Sequence, residues 1–87
     1  MRNTRINIYG TSQEERIKLY DHLIALGEEV YKYTKLRDTE YKYSLFDYSY
    51  DKKMWSGGGH GDNTKNTLFI DEFIEKYPVL KQETEKD

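Results

Sequence analysis

Residues 5–27 constrain the chain more than any other stretch. Arg5-Ile6-Asn7-Ile8-Tyr9 alternates, with Ile6 and Ile8 on one face and Arg5, Asn7 and Tyr9 on the other. That pattern predicts a half-buried strand. Gly10 ends it. Ser12 with Glu15 three residues later forms a capping box, and Glu14 and Glu15 stand where the positive end of a helix favours anions. Ile17, Tyr20 and Ile24 make one row at helical spacing, and Leu19, Leu23 and Leu26 make a second row beside it. Together they predict a broad apolar stripe that must face a sheet. Gly27 occupies the position where a left-handed residue closes a helix.

What packs on this block is limited by size and composition. A chain of 87 residues has room for one modest core, because a domain of this size buries only about 60–65% of the surface its unfolded chain exposes. Charged residues make up 34% and the hydrophobic set 36%, with 15% aromatic, so the aromatics must supply much of the core. No cysteine is present, which excludes disulfides, thiolate metal sites and cysteine nucleophiles. A formal charge of −2 excludes a polycation that holds nucleic acid by bulk charge. No apolar run is long enough to span a bilayer, and the opening Met1-Arg2-Asn3-Thr4 begins no signal-peptide pattern. A soluble protein of the cytoplasm, without membrane contact, is expected.

The middle of the chain is rich in tyrosine. Residues 29–34 set Tyr31 and Tyr33 against Val30 and Lys32, and residues 41–50 set Tyr41, Tyr43 and Leu45 against Phe46, Tyr48 and Tyr50. Two strands joined by the polar turn 36–40 are predicted, close enough to pair as a hairpin. Met54 and Trp55 fit a further short strand. Residues 56–63, with Gly57, Gly58, Gly59, His60 and Gly61, read as a loop. Ile70, Phe73, Ile74 and Tyr77 then follow helical spacing up to Pro78. That helix is capped either by Thr67, or by Asp71 after a short strand at 68–70. Residues 1–80 form one expected domain, and 81–87 a charged, frayed tail. The expected fold is α+β: a three- to four-stranded, mostly antiparallel sheet with two helices packed on one face, in the order β-α-β-β-(β)-α. Its expected core is Ile6, Ile8, Ile17, Tyr20, Leu23, Ile24, Leu45, Phe73 and Ile74.

Thr11-Ser12-Gln13-Glu14-Glu15, Leu26-Gly27 and Asp71-Glu72-Phe73-Ile74-Glu75-Lys76-Tyr77, set around aromatic strands, give the chain a plan. The plan resembles that of small orphan accessory proteins encoded by bacteriophages, of the host-takeover or anti-defence and anti-CRISPR type. The resemblance covers most of the chain in outline and carries no catalytic motif. It implies a non-enzymatic protein that binds and inhibits or modulates a host protein, such as a restriction, CRISPR or other nucleic-acid enzyme, in the host cytoplasm. The triple glycine departs from the plan.

Several groups compete for a functional role. Gly57 to Gly61 offer backbone N–H groups to an anion, but no Lys-Ser/Thr follows, Lys65 is out of P-loop position, and a flexible connection explains them as well. Trp55 and His60 flank this loop and would anchor it on a partner. His22 lies off the apolar rows and is expected to be exposed. Neither it nor His60 has metal-ligand spacing with Asp62 or shows a general acid–base arrangement, so no catalytic residue, metal or cofactor is assigned. Residues 31–53 hold six basic and four acidic residues. A surplus of two is thin for tracking phosphates, which leaves a nucleic-acid- or nucleotide-binding module built on the tyrosine sheet and glycine loop as the alternative function. The acidic residues at helix starts and in the C-terminal part, Glu83 and Glu85 among them, allow local phosphate mimicry, and capping explains several. Helices cover only one sheet face, so tyrosines on the other should remain exposed. The expected contact residues are Tyr31, Tyr33, Tyr48, Tyr50, Trp55, Gly57, Gly58, Gly59 and His60. A homodimer through the same face is the other use of such a surface.

Overall fold

The computed structural model describes residues 1–39, 41, 43–58 and 66–79. It is α+β: strand β1 (Thr4–Asn7), helix α1 (Gln13–Ala25), a 3₁₀ turn (Lys32–Thr34), strands β2 (Leu45–Ser49), β3 (Met54–Gly57) and β4 (Asn66–Phe69), and helix α2 (Ile70–Lys76). The sheet order is β3-β2-β1-β4. The pairs β1–β2 and β2–β3 are antiparallel, and β1–β4 is parallel, so the sheet is mixed.

Local chemistry sets the ends of α1. The Ser12 hydroxyl accepts from Glu15 N–H at 3.2 Å, and the Glu15 carboxylate accepts from Ser12 N–H at 2.9 Å. Two N–H groups that the first helical turn leaves orphaned are thereby satisfied. At the other end Gly27 takes φ +85°, which lets Gly27 N–H reach Ile24 O and Glu28 N–H reach Leu23 O, both at 3.0 Å. This is the paired closure that a left-handed glycine permits. Helix α2 starts straight out of β4. Phe69 N–H donates to the Glu72 carboxylate at 2.9 Å, so a strand does precede the helix, but Phe69 is the cap in place of Asp71 and Ile70 is already helical.

The expected strand at 29–34 does not form. Trp55 N–H donates to Glu29 O and Tyr31 N–H to Trp55 O, each at 2.8 Å, which makes a single bridge at Val30 on the outer edge of β3. The chain then turns. Thr34 Oγ1 lies 3.1 Å from Ser56 Oγ and accepts from Gly57 N–H at 3.4 Å. These bonds hold residues 32–34 in a 3₁₀ turn that closes with Lys35 at φ +59°. The hairpin partner of β2 is therefore β3, and β3 takes in Ser56 and Gly57 from the predicted loop.

The buried core is Ile6, Ile8, Leu19, Leu23, Leu36, Phe46, Tyr48, Trp55, Ile70 and Phe73. Trp55 stands at its centre, with ring centroids 6.0 Å from Phe46, 6.0 Å from Tyr48 and 5.7 Å from Phe73 of α2. Of the expected core, Ile17, Tyr20, Leu45 and Ile74 are only half-buried, and Ile24 is 46% exposed. The buried row of α1 is Arg16, Leu19 and Leu23, so the helix faces the sheet along a narrower stripe, rotated toward Arg16. Among the described residues no helix is long and apolar enough to cross a membrane.

Candidate interaction surface

The tyrosines divide by backbone position. In β2, Phe46 pairs with Ile6 of β1, and Tyr48 pairs with Trp55 of β3. Side chains alternate along a strand, so these residues share the face that meets the helices. Tyr48 and Trp55 are thus core residues, at 5% and 0% exposure, and neither is the surface anchor expected of it. The opposite face holds Arg5, Asp47, Ser49 and Ser56, with Arg5 Nε donating to the buried Asp47 carboxylate at 3.3 Å. An exposed tyrosine sheet face is therefore absent among the described residues. The exposed tyrosines sit on the segments that flank the strands.

Two aromatic pairs flank the β2–β3 hairpin. Tyr31 and Tyr33 meet edge to face with centroids 5.4 Å apart, and Tyr48 and Tyr50 do so at 5.0 Å. In each pair one ring is held and one is presented: Tyr33 is 65% exposed and Tyr50 61%. Cations rest on the held and presented rings alike. Lys52 Nζ, from the hairpin turn, lies 5.3 Å above Tyr31, Lys32 Nζ 5.1 Å above Tyr33, and the Arg2 guanidinium 4.3 Å above Tyr48. Such contacts lower the freedom of both partners before anything binds.

Glu28 ties this surface to the core. Its carboxylate, 9% exposed, accepts from the Trp55 indole at 2.8 Å and from Arg2 Nε at 3.0 Å. Burial alone would raise its pKa, but the Arg2 and Trp55 donors and the Arg2 charge outweigh burial and hold it below the ordinary glutamate value. Arg2, which nothing in the sequence singled out, is thereby fixed between Glu28 and Tyr48.

The glycines have a different role from the one expected. A side chain on Gly57 would run into the Tyr41 hydroxyl and come within 2.7 Å of the Tyr43 ring. Gly57 is a strand residue on which two tyrosines lie, and it is unavailable as a flexible contact. Gly58 leaves β3 at φ +107°. Gly59, His60, Asp62 and Lys65 lie outside the described residues, as do Glu83, Glu85 and the 81–87 tail. Tyr41, pressed onto Gly57, has a buried hydroxyl with no hydrogen-bond partner among the described residues, and burial together with the neighbouring Tyr43 raises its pKa. His22 is half-buried, not exposed. Its Nε2–H donates to Tyr77 O at 2.7 Å, with the ring edge-on to Phe73.

No family model matches the chain, and no curated protein or solved structure matches it.

Proposed function

We propose that this chain is a non-enzymatic binding protein, acting by contact with another protein through the surface of Tyr31, Tyr33, Tyr50 and their cations. In keeping with the resemblance of its plan to phage accessory proteins, the proposed partner is a host protein of the defence or nucleic-acid-processing kind, which the contact inhibits or modulates. The observation that carries the reading is the pair of pre-set tyrosine ledges, each presenting one ring more than half exposed and each carrying a cation on one of its rings. Tyrosine and arginine dominate the energetic centres of protein interfaces because a large, rigid, amphipathic side chain loses little entropy on contact.

The test is affinity capture from bacterial lysate by the tagged protein and by a Tyr33→Ala/Tyr50→Ala variant, with and without nuclease. A protein retained by the parent after nuclease and lost by the variant supports the reading. Captured material that nuclease removes entirely points to the alternative, a nucleic-acid-binding module that uses the same rings for stacking.

A further inference from the structure

Behind the tyrosine ledge, the turn after the 3₁₀ segment encloses a pocket of about 130 Å³ bordered by Tyr20, Tyr31, Lys32, Lys35, Arg37 and Asp38. Three basic residues and one acidic residue border it, in a chain whose net charge is −2. None of the three cations forms an ion pair among the described residues, where the ion pairs are Arg2–Glu28, Arg5–Asp47 and Lys18–Asp71. Two of them rest on aromatic rings. The Arg37 guanidinium lies 4.2 Å above the Tyr20 ring, and Lys32 lies over Tyr33. Lys35 is held by its backbone in the left-handed region, φ +59° and ψ +43°. Glycine or asparagine is the usual occupant of that region, and a lysine there is strained.

A fourth cation lies under the same turn. Arg16 is buried and has no carboxylate partner among the described residues. Its guanidinium donates to Leu36 O at 3.2 Å, Asp38 O at 2.8 Å, Thr39 O at 3.2 Å and Thr11 O at 2.7 Å. Leu36 and Asp38 also border the pocket. Arg16 therefore fixes the backbone that borders the pocket.

We infer that this pocket binds a phosphoryl group carried by a small phosphate monoester. Its volume is far below the roughly 300–1,000 Å³ of sites that enclose a drug-sized ligand, so it takes one charged group and leaves the remainder outside. A phosphoryl group carries about −1.5 to −2 charge at neutral pH and three strong acceptors, which suits two ammonium groups and the planar fork of Arg37. The site does not depend on the protein-contact reading, and its test is separate.

Inorganic phosphate is titrated into the isotopically labelled full chain, with chloride adjusted to constant ionic strength, and amide shifts are followed by NMR. Saturable shifts concentrated at residues 31–38 are expected. Lys35→Gly should weaken phosphate binding about tenfold or more, equivalent to about 1.4 kcal/mol, while its Tm stays equal or rises because glycine removes the strain. Arg37→Gln, at an exposed position, should weaken binding similarly with an unchanged Tm. Equal shifts from chloride alone would overturn the site, as would parent affinity in both variants. It is also overturned if phosphate fails to saturate while a single-stranded DNA oligonucleotide binds across Lys32, Lys52 and Tyr33, which would assign the cations to a nucleic-acid track.

Discussion

Gly57 carries two aromatic rings where other strand residues carry a side chain. Because Tyr41 and Tyr43 approach its backbone so closely, Gly57→Ala should cost about 1–3 kcal/mol, the usual penalty of overpacking, and urea denaturation measures it. Tyr48 and Tyr50 separate along the same line of burial. Tyr48→Ala should remove about 3 kcal/mol or more of stability by emptying the space beside Trp55, whereas Tyr50→Ala should leave the urea midpoint within about 0.5 kcal/mol of the parent. Equal midpoints for the two variants would show that Tyr48 does not pack on Trp55. Glu28 sets a pH dependence. Its folded pKa lies below its unfolded one, so its stabilisation is present above the unfolded value, about 4.3, and is lost as pH falls through the folded value. Thermal melts from pH 6 to pH 3 should fall less steeply for Glu28→Gln than for the parent, since the amide cannot lose a charge that it never had.

At the scale of elements, α1 is the best-defined piece, and its sequence legibility follows from where its determinants lie. Ser12, Glu15 and Gly27 act within one or two turns of the chain, so their chemistry needs no tertiary partner. Ser12→Ala should cost about 1 kcal/mol, and Leu23→Ala about 2–5 kcal/mol through a cavity in the core. Chemical denaturation of the two variants checks both values. The segment 29–34 misleads for the opposite reason. Its Tyr-Lys-Tyr alternation favours a strand, but Thr34 bonds Ser56 and Gly57 from a distant strand, and those bonds select a turn. Arg16 belongs to the same class. A charged residue at the edge of an apolar row reads as solvent-facing, and only the arrival of the 36–39 carbonyls makes its burial favourable. Arg16→Met keeps the stem's packing and removes the donors. It should raise amide exchange across residues 36–39 ahead of the rest of the chain.

For the molecule as a whole, the mixed sheet ends at β4 on one edge. Among the described residues β4 pairs with β1 alone, in parallel, and Asn66, Thr67 and Phe69 are exposed. β2 lies between two antiparallel partners and is buried on both faces. Native-state hydrogen exchange should therefore show β4 opening at lower free energy than β1 and β2. Equal protection in β4 and β2 would mean that the domain opens only as one unit. The two exposed tyrosines of the proposed contact surface are at the other edge, around the β2–β3 hairpin, so opening of β4 leaves that surface intact.

Local periodicity and capping encode the α+β class, the first strand, both helices, their order, and Ile6, Ile8, Leu23 and Phe73 as core. Tyr33 and Tyr50 are exposed as expected, but on segments that flank the strands and not on an uncovered sheet face. Packing between elements sends Trp55 and Tyr48 inward, lays two rings on Gly57 and sets Lys32, Lys35 and Arg37 around one pocket. The placing of Trp55, Tyr48 and Gly57 depends on strand register and on contacts between separate elements. A one-residue slip of register would turn Trp55 from the core to the other face. Nothing in the local spacing of charges or aromatics carries that information; the pairing of β2 with β3 supplies it.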